Sequence, residues 1–176
     1  MAGPLCRSNY RMAPIMMAGS HLAIGVAAWM WAAPHLGLPA LDPLPLASAG
    51  IGSLLPDIDH PQSWVGQRLC MISRPLAAMF GHRGVTHSLL AVIVCELLLR
   101  WSGFSRPTAD AVVVGYLSHL AGDLLTSSGL RLTWPSRWRF ALSLCKTGSM
   151  TEFILVACAV TWVAAEAMGW LSIPRL

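Results

Sequence analysis

Residues 109–126, ADAVVVGYLSHLAGDLLT, form the apolar stretch that decides the fold of this chain. A helix of this length would cross most of a bilayer, because the hydrocarbon core is spanned by a helix of about 20 residues. Gly115, His119, Asp123 and Thr126 recur within the stretch at helical spacing, so they share one face of the helix. His119 and Asp123 lie one turn apart and can both reach one ion. A His–Asp hydrogen bond at a helix interface is the alternative interpretation.

The composition of the whole chain indicates an integral membrane protein. Of its 176 residues, 11% are charged and 55% are hydrophobic, whereas about one residue in four is charged in an ordinary soluble domain. This excludes a soluble globule and a disordered chain, and the length fits one domain. The five cysteines include no Cys-x-x-Cys pair, which favours reduced thiols over a disulfide framework.

Five apolar stretches predict an all-α bundle of four to five transmembrane helices within a single domain, residues 1–176. The second stretch is the weakest, because Asp42, Pro43 and Pro45 occupy its first turns and leave a segment short enough to be re-entrant or broken. The predicted spans are residues 15–33, 38–55, 86–101, 109–126 and 153–171.

The basic residues predict the orientation of the bundle. Counted on alternate sides of five spans, Lys and Arg divide nine to three, and the richer side of a multispanning protein faces the cytoplasm. The amino terminus and the loops 56–85 and 127–150 are therefore expected in the cytoplasm, with the carboxyl terminus on the opposite side. The net charge of +4 is modest, and no nucleic acid partner is expected.

Two loop segments add polar residues beside these spans. Pro56-Asp57-Ile58-Asp59-His60 contains two carboxylates that would repel in an extended segment unless a cation lay beside them; a solvated turn is the alternative. The second segment contains two imidazoles and leads into the third span; it reads His82-Arg83-Gly84-Val85-Thr86-His87-Ser88. Arg83 there could bind an oxyanion, and a basic interfacial loop held by capping is the alternative.

The topology brings these candidates together. His21, in the first span, is by itself more typical of helix packing. In the five-span arrangement, however, it lies at the cytoplasmic ends of the spans together with Asp57, Asp59, His60, His82, His87, His119 and Asp123; Asp42 does not join this cluster. Imidazole and carboxylate groups without a thiolate favour zinc first and manganese or iron next. Glu152 is expected to complete a capping box with Ser149. The alternative interpretation is that its carboxylate is a metal ligand or a general base.

Three motifs in order carry a resemblance to a known family: LPDIDHP (55–61), GHRGVTHSLL (81–90) and GYLSHLAGDLLT (115–126). The chain resembles the YdjM-type bacterial inner-membrane proteins, described as membrane-bound metal-dependent hydrolases, from about residue 19 to residue 152. This similarity implies a location in the inner membrane, where the orientation expected from the basic residues would make the carboxyl terminus periplasmic. It also implies a distant similarity to zinc-dependent phospholipase C and P1-type nucleases. The family's polar motif positions are His21, Asp57, His60, His82, His87, His119 and Asp123.

The sequence as a whole predicts a metal-dependent hydrolase that acts on a phosphoester at the cytoplasmic membrane interface. A lipid phosphate or another amphipathic phosphoester is the expected substrate, and membrane lipid is the expected partner. Asp59 is the predicted base, Arg83 the predicted stabiliser of oxyanion charge, and Glu152 a further catalytic candidate. The alternative is a non-enzymatic membrane protein that uses a His/Asp metal site for transport, sensing or structure.

Overall fold

The computed structural model describes residues 13–81, 83–127, 129–136, 138–146, 148–168 and 170. Within these ranges the chain is helical, with two isolated bridges and no strand, so the predicted all-α fold is confirmed. Two 3-10 turns, Pro56–Asp59 and Val85–His87, join the α-helices. The α-helices are α1 Ala13–His35, α2 Pro43–Gly52, α3 Trp64–Arg68, α4 Cys70–Phe80, α5 Leu89–Trp101, α6 Arg106–Leu125 and α7 Met150–Ala167.

Side-chain caps decide where several helices begin. The Ser88 hydroxyl accepts a hydrogen bond from the backbone N–H of Ala91, so α5 starts at Leu89 rather than at the predicted residue 86. Ser149 accepts from the backbone N–H of Glu152 in the same way and starts α7. Each cap satisfies a backbone donor that has no partner inside the first turn.

Helix α6 lies at the centre, in contact with α1, α2 and α5. Glycines allow the closest approach: a Cβ at Gly115 would overlap the carbonyl oxygen of Ala49 on α2, and one at Gly52 would overlap the carbonyl oxygen of Val112 on α6. Small residues at helix interfaces are the usual means by which helices pack tightly in lipid. This packing fixes the end of α2 beside the polar face of α6.

The predicted count of four to five spans is not supported. In the part of the chain that the structure describes, α7 is the one helix that is both long enough and apolar enough to cross a membrane. The second and third predicted spans contain α2 and α5 with 10 and 13 residues, which correspond to about 15 and 20 Å at 1.5 Å per residue. The prolines of the second stretch and the 3-10 turn before the third shorten both helices.

Helices α3 and α4 lie inside the segment that the sequence predicted as a cytoplasmic loop. Helix α4 leaves Met71 and Met79 exposed and buries Ser73, and it contacts the 3-10 turn Pro56–Asp59. After α6, an irregular segment folds back along the helix end, where the backbone N–H groups of Leu142 and Leu144 donate to the carbonyls of Leu124 and Leu125. These pieces surround the end of α6 that carries His119 and Asp123.

The contact between α2 and α6 predicts the effect of a single methyl group. Gly115→Ala should lower the thermal stability of the detergent-purified protein, because the new Cβ meets backbone and not a movable side chain; overpacking of this kind costs about 1–3 kcal/mol or more. Gly19→Ala on α1 is the matched control, since its Cβ would meet nothing within 4 Å. An equal melting temperature for Gly115→Ala and the wild type would contradict the packing described here.

Candidate metal centre

Four structural elements meet at one end of α6. Helix α6 contributes His119 and Asp123, which are buried on the face that also contains Gly115. Helix α1 contributes His21, the turn Pro56–Asp59 contributes Asp57, and the turn Val85–His87 contributes His87. The side chains of His87 and His119 are fully buried. The structure therefore brings together residues that lie up to about a hundred positions apart in the sequence.

His119 is oriented by the end of α2. Its Nδ1–H donates to the carbonyl oxygen of Ser53 at 2.7 Å, so the ring nitrogen Nε2 is unprotonated. Nε2 is buried and has no hydrogen-bond partner among the described residues. A buried lone pair of this kind is costly unless a proton donor or a metal ion satisfies it.

Carboxylate and imidazole atoms surround that nitrogen at longer range. His119 Nε2 lies 3.8 Å from Asp57 Oδ1 and 3.8 Å from Asp123 Oδ2, and His87 Nε2 lies 3.5 Å from the same Asp123 oxygen. A tetrahedral zinc ion with bonds of about 2.0–2.2 Å separates its ligand atoms by about 3.3–3.6 Å. The observed separations match this geometry to within a few tenths of an ångström. They are too long for direct hydrogen bonds.

His21 offers a second arrangement around the same imidazole. The rings of His21 and His119 stack with centroids 3.9 Å apart and planes at 21°. Among the described residues, two sets of donors lie close enough to hold an ion: His21 with His119 and Asp123, and Asp57 with His87 and His119. Because Ser53 occupies Nδ1 of His119, both sets use its Nε2. The two sets therefore compete for one ion at this nitrogen.

Asp59 lies behind His87. Its Oδ2 accepts hydrogen bonds from the Thr86 hydroxyl and the Arg83 backbone N–H and lies 3.4 Å from His87 Nδ1. Thr86 Oγ1 is also 3.0 Å from His87 Nδ1, so Nδ1 carries the proton and Nε2 faces Asp123. A carboxylate in this position fixes the tautomer and orientation of a metal-binding histidine. The contacts favour a positioning function for Asp59 over the predicted function as a base.

Arg83 spans the cluster from the loop before α5. Its backbone adopts the left-handed conformation, with φ of 59°, and its Nη2 donates to Asp123 Oδ1 at 3.0 Å. The side chain is mostly buried, and its Nε has no hydrogen-bond partner among the described residues. Arg83 thus holds Asp123 and retains a donor for an anion.

Asp57 is the carboxylate most affected by its surroundings. Burial raises the pKa of its carboxyl above the usual value, and the neighbouring Asp123 raises it further, whereas His21 and His87 oppose the shift. A group with a raised pKa resists ionisation in the absence of a positive partner. A divalent cation among these side chains would reverse that preference by favouring the carboxylate.

The remaining predicted residues lie apart or outside the described ranges. His60 follows the Asp57 turn, and its Nδ1 accepts from the backbone N–H of Gln62 at 3.1 Å; it belongs to neither donor set. Glu152 caps α7 through the backbone N–H of Gly148 at 2.5 Å, yet it also lines a cleft with His21 and Asp123. His82 lies outside the described residues, as does the end of the fifth predicted span.

Two residues of the site were missed by the sequence. Ser53 acts through its backbone carbonyl, for which a sequence contains no signal. The sequence indicated Thr86 only as a candidate cap beside Ser88, because a hydroxyl before a helix usually has that function; the cap is Ser88. Thr86 and His87 both contact Asp59. The sequence contains no signal for this, because the contact depends on the tertiary fold.

The fold and the site define a class: an apolar helical protein with a His/Asp cluster buried at one end of its central helix. The chain belongs to the YdjM inner membrane protein family, whose model matches residues 16–174. The predicted family resemblance is confirmed, and the membership supports a location at the inner membrane. No solved structure matches the chain significantly.

Curated relatives of the chain agree with this membership. The chain is 50% identical over 119 residues to "Inner membrane protein YdjM" of Escherichia coli (strain K12), a match that covers 62% of this chain and 60% of that protein. The Shigella flexneri protein of the same name matches equally. The uncharacterized protein YvsG of Bacillus subtilis (strain 168) is 34% identical over 144 residues, 81% of this chain and 88% of its own length. None of these names states an activity.

The position of Asp59 leads to a testable expectation. Asp59→Asn should weaken zinc binding by about 10–100-fold, the usual effect of losing a carboxylate behind a histidine ligand, as measured by competition with a chelating dye. Asp42→Asn at the start of α2 is the control, because Asp42 caps that helix and makes no contact with the cluster. Unchanged zinc affinity in Asp59→Asn would refute the positioning function.

Proposed function

We propose that the protein is a metal-dependent phosphoester hydrolase of the inner membrane. The observation that carries the proposal is the buried Nε2 of His119, which has no hydrogen-bond partner among the described residues and lies 3.8 Å from two carboxylates. Buried polar atoms are satisfied in folded proteins, and the surrounding donors have the chemistry of a divalent-metal site. The family membership adds the membrane location.

The donor set fits zinc best. Asp57, His87, His119 and Asp123 supply two nitrogens and two oxygens, and a thiolate is not among them. His119 Nε2 lies 3.8 Å from an oxygen of Asp57 and of Asp123, and His87 Nε2 lies 3.5 Å from Asp123, which are separations close to those around a tetrahedral zinc ion. His21 is the alternative ligand, and manganese or iron would suit the same donors with less demand for a tetrahedron. When bound, such an ion supplies Lewis-acid polarisation of a phosphoryl oxygen and activation of water at neutral pH.

The other residues of the site have separate functions. The guanidinium of Arg83 holds Asp123 in place, and its Nε is the donor that we assign to an oxygen of the phosphoryl group as negative charge develops there. Asp59 and Thr86 keep His87 in the tautomer whose Nε2 faces Asp123. Glu152 lines the same cleft as His21 and Asp123, and we assign to it the acceptance of a proton from water.

Exposed apolar side chains support a multi-pass arrangement in the membrane. Helix α5 exposes Leu97 and Leu98, and α7 exposes Phe153, Ile154 and Trp162, although contiguous apolar surface is rare on soluble monomers. We propose that α1, α6 and α7 cross the bilayer and that α2 and α5 enter it partway. We place the amino terminus and the metal centre on the cytoplasmic side, because Arg7 and Arg11 precede α1 and a basic segment with Arg131, Arg139 and Lys146 follows the end of α6 that carries the metal centre.

Metal content tests the site itself. His119→Ala and Asp57→Asn should lose about one equivalent of zinc relative to the wild type, as measured by elemental mass spectrometry of detergent-purified protein, because each removes a ligand. His35→Ala is the matched control, since His35 packs against Trp31 at the far end of α1. Equal metal content in all four proteins would contradict the proposed centre.

Turnover tests the reaction. Arg83→Gln should retain zinc and lower kcat for a phosphoester by about 10²–10³-fold, the loss expected for a donor that stabilises transition-state charge. Arg106→Gln, whose guanidinium pairs with Asp110 at the other end of α6, is the control. A zinc-loaded wild-type protein without activity on any phosphoester would favour a transport, sensing or structural use of the metal.

A further inference from the structure

A cleft leads from the His/Asp cluster to the contact between α1 and α7. Its inner part is lined by His21 and Asp123, and by Leu155 from α7. Its outer part is lined by Gly19 and Phe153 and has a volume of about 240 Å³, somewhat below the roughly 300–1,000 Å³ that is typical of sites holding a whole small molecule. Ser20, Glu152 and Val156 line both parts, so the two are continuous.

Gly19 keeps the outer part open. A Cβ at this position would meet nothing within 4 Å, although it belongs to the interior of a helix, where alanine is favoured over glycine by about 1 kcal/mol. Ala23 on the next turn is also small and lines the cleft. Helix α1 therefore leaves the outer part of the cleft open, because it contributes only the small residues Gly19, Ser20 and Ala23 there.

The cleft opens where lipid is expected. Helix α7, which forms one wall, is the described helix with the length and composition to cross a membrane, and little of it is buried. Phe153 lines the outer part and is exposed. The surface of that outer part is mostly apolar, with Ser20, Ser149 and Glu152 as its polar side chains, so most of the cleft favours an apolar occupant over water.

We propose that this cleft binds an acyl chain of a membrane phospholipid whose phosphoester group lies at the His/Asp cluster. The inference rests on the proposed function and names its substrate class. Hydrolysis would break one P–O ester bond: the oxygen of water joins phosphorus, and a proton joins the leaving oxygen. A water-soluble phosphoester could reach the cluster but would leave the apolar walls without a partner.

Filling the cleft at Gly19 separates chain binding from chemistry. The experiment uses Gly19→Leu in phosphatidylethanolamine nanodiscs that contain phosphatidic acid with a photoreactive diazirine in one acyl chain. Labelling of Ser20 and Val156, which are not fully exposed, is mapped by mass spectrometry, and turnover of phosphatidic acid is compared with turnover of glycerol 3-phosphate. Ala78→Leu is the control, because Ala78 is exposed on α4 and does not line the cleft.

The inference predicts that the wild type is labelled at both positions. Gly19→Leu should reduce that labelling and the turnover of phosphatidic acid by about tenfold or more, with glycerol 3-phosphate turnover and zinc content unchanged. Unchanged labelling in Gly19→Leu would overturn the inference and leave the proposed hydrolysis standing. If Gly19→Leu loses labelling but the wild type hydrolyses neither compound, the lipid site is supported and the proposed hydrolysis is overturned.

Discussion

The rest of the structure depends on one buried imidazole. His119 lies on the polar face of α6, and its Nδ1–H donates to the carbonyl of Ser53 at the end of α2. Its Nε2 has no hydrogen-bond partner among the described residues and lies 3.8 Å from carboxylate oxygens of Asp57 and Asp123. An unsatisfied buried nitrogen costs about 1–3 kcal/mol. The short helix α2, the glycine contacts of α6 and the 3-10 turns all place groups around this nitrogen.

The distances favour the proposed metal centre over polar helix packing. Packing by hydrogen bonds requires heavy atoms about 2.7–3.2 Å apart, as seen between Arg83 and Asp123 at 3.0 Å. The contacts of His119 Nε2 with Asp57 and Asp123 are longer, and so is the contact of His87 Nε2. Atoms that are too far apart to bond to each other, yet close enough to share one ligand, are the arrangement that a bound ion produces.

The sequence was sufficient for the helical class, the family and the face of α6 that carries His119 and Asp123. These follow from composition and from a spacing of four residues, both of which are local properties. It was insufficient for the length of α2, since prolines and glycines permit a short buried helix as readily as a broken span. Apolar composition indicated burial without indicating whether lipid or protein covers each helix.

Within the site, residue types were predictable and functions were not. Asp57 and Asp59 are two positions apart, and an extended segment would point both toward one ion. The 3-10 turn instead turns them to different neighbours, with Asp57 near His119 and Asp59 behind His87. The distinction between a ligand and the residue that orients a ligand is set by tertiary contacts, and those of Asp59 favour a positioning function over the predicted function as a base.

X-ray absorption spectroscopy of the zinc-loaded protein tests the central claim most directly, because it measures ligand type and distance at the metal. The account predicts four nitrogen and oxygen ligands at about 2.0–2.2 Å, with the multiple-scattering signal of about two imidazole rings. A zinc ion with sulfur ligands, or one surrounded by six oxygens without imidazole, would contradict the assignment of His119 and its neighbours as the metal centre.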